Sequence, residues 1–271
     1  MGMAIDAYFK GKHVFITGGS SGIGFAAAER LVGVGAQVTL AARRPDILEE
    51  ARAKLGPNAL ALPLDVANEA EVMEQVSRHA AAHPVDMLIN NAGVVMPGRF
   101  MELSTEKFRW MMDINYFGAV HCCKALIPGM IARGGGHILN VSSMAGAIGI
   151  YGYTAYSATK FALCGFSQCL RAEMWPHQIR VSVCLPPDTD TPQLAFENQY
   201  KPAETKAIAG NVKTLPAATV AEAMLSGMAS GTFEIIPGFD GWSSALAQRL
   251  VPGVVRMVCD ASQKKAGTIK S

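Results

Sequence analysis

No stretch of this chain reaches the roughly 18 consecutive apolar residues that a membrane-spanning helix needs, although half of its 271 residues are hydrophobic. The nearest approach, residues 245–258, is interrupted by Arg249, Pro252 and Arg256. It reads as a last packed helix with two solvated arginines, and a helix lying on a membrane surface is the alternative. Charge is scarce too. Charged residues make up 17% of the chain and the formal net charge is +2, so nothing marks a nucleic-acid partner. The six cysteines form no C-x-x-C pair, which leads us to expect buried, reduced thiols rather than disulfides. The six histidines show no ligand spacing, so no metal is expected, and His137 at a strand start reads as structural. Residues 1–12 lack the apolar run of a signal peptide, and a reducing cytoplasm is the expected setting. Linkers, repeats and low-complexity runs are also missing, leaving one domain over residues 1–271.

What the chain does contain is an alternation of short β-rich runs and longer helical ones. That pattern predicts a parallel sheet covered on both faces. Strands are expected at 13–17, 37–41, 59–64, 87–90, 137–141, 180–184 and 233–236. Helices are expected at 22–34, at 45–55 behind a proline suited to the first turn, at 69–82, at 104–131 with a break near Asn115, and at 154–175. The fold class is therefore α/β, a doubly wound seven-stranded parallel sheet in one Rossmann-type domain.

Between the first strand and its helix lies Thr17-Gly18-Gly19-Ser20-Ser21-Gly22-Ile23-Gly24. A strand, a glycine-rich turn and a helix form the context that a dinucleotide diphosphate requires. Gly18 allows the sharp turn, Gly22 admits the diphosphate, and Gly24 lets the helix approach the sheet, with free helix N–H groups aimed at the anion. No Asp or Glu occupies residues 40–44, where a carboxylate would take a ribose 2′-hydroxyl. Arg43 offers instead a planar fork for a 2′-phosphate, and Ser20 and Ser21 add hydroxyl donors. NADP(H) is the cofactor this predicts. Asp65 and Val66, after the third strand, should sit beside the adenine, and Asn91, Ala92 and Gly93, after the fourth, should line the cofactor's middle.

Tyr156 and Lys160 are four apart in a helical stretch and share a face. A lysine cation beside the phenol should lower its pKa from about 10, so that Tyr156 can exchange a proton with a carbonyl oxygen. The same ammonium can hold the nicotinamide ribose. Ser143, thirteen residues upstream of the tyrosine, can bond the substrate carbonyl and steady oxyanion charge. Asn115 is expected to hold a water that links Lys160 to solvent.

On these motifs, including Tyr156-Ser157-Ala158-Thr159-Lys160 and Asn90-Asn91-Ala92-Gly93, residues 10–192 resemble a short-chain dehydrogenase/reductase. The resemblance implies Asn115/Ser143/Tyr156/Lys160 catalysis. It also implies a homodimer or homotetramer packed through the helices at 104–131 and 154–175. Where that family usually has Pro-Gly after the sixth strand, this chain has Pro186-Pro187-Asp188-Thr189-Asp190-Thr191-Pro192. That variant, with Glu197-Asn198, Lys201-Pro202-x-Glu204-Thr205 and Gly238-Phe239-Asp240-Gly241, is similar to the 3-ketodihydrosphingosine reductases. The similarity implies reduction of a 3-keto long-chain base with NADPH. Alternatives are another ketone (steroid, polyketide or aryl) and a dinucleotide sensor without turnover. Members from eukaryotes are membrane-anchored, which keeps peripheral membrane contact open beside a cytoplasmic location.

The prolines should stiffen the segment after the sixth strand. Pro186, Thr189 and Thr191 would then face the carboxamide or diphosphate, while Asp188 and Asp190 serve as turn and capping residues. Residues 192–216 read as a loop-like substrate lid. Its apolar residues (Leu194, Phe196, Ile208, Val212) and those of the 238–260 segment (Phe239, Trp242, Leu246, Leu250) are expected to close a trough over a long acyl chain.

Overall fold

The computed structural model describes residues 2–209 and 214–265. In chain order the elements begin α1 (Gly2–Phe9), β1 (His13–Thr17), α2 (Gly22–Gly33), β2 (Gln37–Ala42), α3 (Pro45–Leu55), β3 (Ala59–Pro63), α4 (Glu69–Ala82) and β4 (Met87–Asn90). Next come α5 (Thr105–Met112), α6 (Gly118–Ala132), β5 (Gly136–Val141), α7 (Thr154–Met174), β6 (Ile179–Cys184) and β7 (Thr189–Asp190). The chain continues through α8 (Pro192–Glu197), α9 (Ala203–Ala209), β8 (Leu215–Pro216), α10 (Ala217–Ser230), β9 (Glu234–Ile235), α11 (Phe239–Leu250) and α12 (Pro252–Lys265).

Seven strands form one parallel sheet in the order β3-β2-β1-β4-β5-β6-β9. Each inner strand sends alternate residues to opposite faces, so both must be apolar. Val14, Ile16, Met87, Ile89, Leu139 and Val141 pack with α1, α2, α3 and α10 through Phe9, Leu31, Leu48 and Met224. Phe15, Leu88, Ile138 and Val181 face α4, α6 and α7 through Val72, Leu126, Met130 and Leu170. The strand order reverses between β1 and β4, the point beyond whose carboxyl ends open α/β sheets bind their ligands.

The structure corrects several expectations. The helix at 104–131 does not break at Asn115. It widens into a π-helical turn over Asp113–Phe117, and such turns recur at functional sites. The stretch 186–216 is not one loop, since β7 pairs with β8 and α8 and α9 lie between them. Residues 245–258 are two helices, because Val251 ends α11 and Pro252 opens α12. That region is only partly packed, with α12 lying against α9 and α11. Ala245 is buried, but Leu250, Val254, Met257 and Val258 are all more than half exposed. Cys122, Cys123 and Cys184 are buried thiols as expected, and burial pushes Cys123 up to about 12. Cys169 is exposed, on the opposite face of α7 from buried Ser167 and Leu170. His137 is structural, held between the Tyr8 hydroxyl at 2.8 Å and Ser182 at 2.9 Å.

Candidate active site

A cavity of about 570 Å³ opens beyond the carboxyl ends of the central strands. One end is built from backbone. Gly18 has φ +64° and Gly22 φ +57°, the left-handed region that L side chains avoid. Thr17 Oγ1 accepts from the amides of Asn91 and Ala92, both at 3.0 Å, which ties the end of β1 to that of β4. The Asn91 side-chain amide then donates to Thr17 O and Gly18 O, both at 3.1 Å. A Cβ on Gly24 would stand 2.5 Å from that amide nitrogen and 2.6 Å from Gly18 O. Gly24 therefore makes room for the turn itself, a more local role than helix-to-sheet approach.

The α2 N-terminus faces this end. Its N-cap Ser21 makes no side-chain cap and its first turn holds no acid, so the opening amides and their partial positive charge stay available. Ser20, Ser21, Gly22, Ile23, Arg43, Arg44, Val66, Ala92 and Gly93 line the same space. Exposed Arg43 forms no ion pair among the described residues. These residues fit a dinucleotide with a 2′-phosphate. Asp65 departs from expectation: Leu64 and Val66 form the wall. The Asp65 carboxylate instead accepts from the Ala67 amide at 3.1 Å.

The other end carries the reactive groups. Ser143 caps a short turn by accepting from the Ala145 amide at 3.1 Å. Its hydroxyl also bonds the Tyr156 phenol. Lys160, one turn on in α7, donates to Val141 O at 3.0 Å and lies 5.6 Å from the Tyr156 ring centre. Asn115 is buried behind them. Its side chain donates to Val94 O at 2.9 Å and Thr159 Oγ1 at 3.0 Å, and it accepts from the Val94 amide at 2.8 Å. Both amide hydrogens are thus committed to protein atoms. Asn115 clamps the loop after β4 onto α7, where a water-holding role was expected of its side chain.

Electrostatics here run against the expected order. Burial raises the Tyr156 pKa well above its usual 10, the negative charge of Glu197 adds to this, and the Ser143 hydrogen bond draws it partly back. Burial also lowers Lys160 to about 8. The lysine does not pull the phenol down, since desolvation outweighs one neighbouring cation that is itself poorly solvated. A tyrosine held neutral at physiological pH is a proton donor.

Four groups beside Tyr156 have contacts that the sequence reading did not foresee. Lys201 Nζ sits 3.0 Å from Glu197 Oε1 and 3.2 Å from Asp188 Oδ2, and the Tyr153 hydroxyl bonds Glu197. Asp188 is thus an ion-pair partner and more than a turn residue. The i,i+4 spacing of Glu197 and Lys201 was the one signal available. Pro186 and Thr189 reach the cavity wall. Thr191 does so while its hydroxyl caps α8, accepting from the Leu194 amide at 3.2 Å, so it is already engaged. Leu194 lines the cavity, but Phe239, Trp242, Leu246 and Leu250 do not and are exposed. Exposed Phe196 and partly buried Ile208 do not line it either, so of the expected trough only Leu194 is found at the cavity among the described residues. α11 meets the cavity at Met144, whose sulfur lies 3.7 Å from where a Cβ on Gly241 would sit. Val212 falls outside the described residues.

The family model for short chain dehydrogenase matches residues 12–201. A 3-ketodihydrosphingosine reductase from Bos taurus is 39% identical over 241 residues, 86% of this chain and 73% of that protein. A 3-dehydrosphinganine reductase from Danio rerio is 41% identical over 252 residues, 89% of this chain and 76% of that one. Among solved structures, a short chain dehydrogenase from Burkholderia cenocepacia in complex with NADP superposes with a TM-score of 0.79. It is 26% identical, and the match covers 93% of this chain and 98% of that one.

Proposed function

The chain belongs to the short-chain dehydrogenase family, and from that premise we propose that it reduces the ketone of a 3-keto long-chain base with NADPH. The observation that carries this is the convergence of Ser143, Tyr156 and Lys160 on the cavity that also receives the α2 N-terminus and Arg43. The relatives' names, 3-ketodihydrosphingosine reductase and 3-dehydrosphinganine reductase, supply the lipid.

The glycine turn, Ser20, Ser21 and the first amides of α2 hold the diphosphate, Arg43 the 2′-phosphate, and Lys160 the nicotinamide ribose. NADPH, once bound, supplies the hydride. Tyr156, kept protonated by its burial, donates its phenolic proton to the ketone oxygen as charge develops there. Ser143 donates to the same oxygen. The Lys160 ammonium then favours the phenolate left behind, which regains its proton from solvent. Asn115 holds the loop wall against α7.

The acyl chain leaves this centre past Met144 and Leu194 toward α11, with residues 192–216 as its lid. The exposed apolar residues of α11 and α12 form a peripheral membrane contact through which a lipid can enter. No helix among the described residues is long and apolar enough to cross a membrane. A homodimer or homotetramer packs through the helical stretches 104–131 and 154–175, where Phe117 and Phe161 are exposed. A cytoplasmic location goes with this reading.

Loss of NADPH absorbance with 3-keto substrates of increasing chain length tests the proposal. At about 0.8 kcal/mol per buried methylene, kcat/KM should rise roughly tenfold for each two carbons until the apolar path is filled. A flat series would remove the long-chain substrate and leave a general ketone reductase.

A further inference from the structure

The charged groups of the cavity are sorted by sign. Arg43 and Arg44 stand at the end that fits the dinucleotide, and Lys160 stands beneath the catalytic tyrosine. Asp188 and Glu197 are the only carboxylates lining the cavity among the described residues, and both lie at the other end, on the lid side of Tyr156. Glu197 is 7% exposed, and Tyr153, which bonds its carboxylate, has its ring centre 5.6 Å from that of Tyr156.

These carboxylates share a single ammonium, that of Lys201, with contacts of 3.0 and 3.2 Å. Among the described residues, two negative charges and one positive leave the group with one negative charge in excess, in the wall that the substrate must touch. The Glu197 and Lys201 side chains are buried while that of Asp188 is 35% exposed, so part of this charge is held out of water, where it is costly unless a partner completes it. It also works against the reaction as it stands, since a negative field at Tyr156 opposes formation of the phenolate. A structural ion pair would need only one carboxylate. The missing charge is one cation, placed next to the atom that accepts the tyrosine's proton.

We infer that Glu197 is the specificity residue for an ammonium on the carbon adjacent to the substrate ketone, so that the lid selects α-amino ketones over plain ones. This deepens the proposed function and rests on it, since a 3-keto long-chain base carries its amine on the carbon next to the carbonyl carbon. The substrate ammonium completes a cluster of two carboxylates and two cations, cancels the field that opposes phenolate formation, and fixes the ketone beneath Ser143 and Tyr156. Tyr153 orients the Glu197 carboxylate toward that position, and Lys201 keeps Asp188 and Glu197 together before substrate arrives.

The test compares a 3-keto long-chain base with the 1-hydroxy-3-ketone of equal length that lacks the amine, in wild type and Glu197→Gln. Wild type should favour the amino ketone. In Glu197→Gln that preference, as the ratio of kcat/KM values, should fall about 10- to 100-fold, mainly through the KM of the amino ketone, while NADPH affinity reports an intact fold. A second measurement needs no variant. The saturated amino alcohol should inhibit wild-type reduction of the amine-free ketone, and the same alcohol without its amine should inhibit far less. Equal losses on both ketones in Glu197→Gln, or equal inhibition by both alcohols, would overturn the inference and leave the substrate reading intact. A wild type that reduces the amine-free ketone but not the amino ketone would instead overturn the proposed substrate, and the inference with it.

Discussion

Lys160, to which the proposed reaction gives a catalytic role, works against stability, and pH exposes that cost. Its side chain is 4% exposed, its ammonium donates to Val141 O, and no carboxylate pairs with it among the described residues. Burial lowers its pKa from 10.5 to about 8. At about 1.36 kcal/mol for each factor of ten in protonation, the folded protein forgoes about 3 kcal/mol at neutral pH to keep this cation inside. An unfolded lysine keeps its proton up to about pH 10.5, whereas the folded one releases it from about 8. Between those values the unfolded chain binds more protons, so stability from this group rises with pH across that window. Lys160→Met removes the charge and keeps the length. It forfeits the hydrogen bond to Val141 O at every pH, at about 1 kcal/mol, but escapes the desolvation cost at low pH only. Relative to wild type, the variant should therefore lose about 3 kcal/mol of its advantage between about pH 7 and about pH 10. For a domain of this size that is a change of about 6 °C in the Tm difference. Melting both cofactor-free proteins by circular dichroism at the two pH values measures it. A Tm difference that stays constant would refute the claim that Lys160 is buried without a counter-charge.

Tyr156→Phe should lower kcat by about 10²- to 10⁴-fold while NADPH titrates as in wild type; near-normal turnover would assign the proton to another donor. Arg43→Ala should raise the NADPH Kd about 10- to 100-fold and barely change that of NADH. Fluorescence titration of both cofactors decides this, and equal wild-type affinity for the two would remove the 2′-phosphate contact. Gly24→Ala forces a methyl to within 2.6 Å of Gly18 O, an overpacking that should cost about 1–3 kcal/mol and weaken NADPH binding. Gly33→Ala, in the same helix but with nothing within 4 Å, is the control and should hold or raise the Tm.

The strands were legible because both faces of the sheet are covered, so each inner strand had to be a short apolar run. Two helices were legible to the residue. Pro45 opens α3 at its first turn, and the Asn68 side chain accepts from the Glu71 amide at 3.2 Å to open α4. Local signals of that kind are missing from the π turn at Asn115, where an extra residue in the turn follows from contact with Val94 and Thr159. They are also missing from β7 and β8, which are two residues each and find one another only through the fold.

The two ends of the cavity differ in legibility for a physical reason. Diphosphate binding is done by backbone amides, which demand glycine at set offsets, and the chain must spell that demand out between Gly18 and Gly24. The proposed substrate recognition uses side chains from the segments flanking β7, α8 and the start of α7, and no spacing relates Tyr153 to Glu197 or Asp188 to Lys201 across them. Proton transfer lies between these cases. Tyr156 and Lys160 are visible as a pair because one helix holds both. The direction of their pKa shifts is not, because it depends on how much water the lid and the loop after β5 exclude. A sequence records which charges are neighbours; only the fold decides which of them stay solvated, and at this site exclusion of water outweighs adjacency.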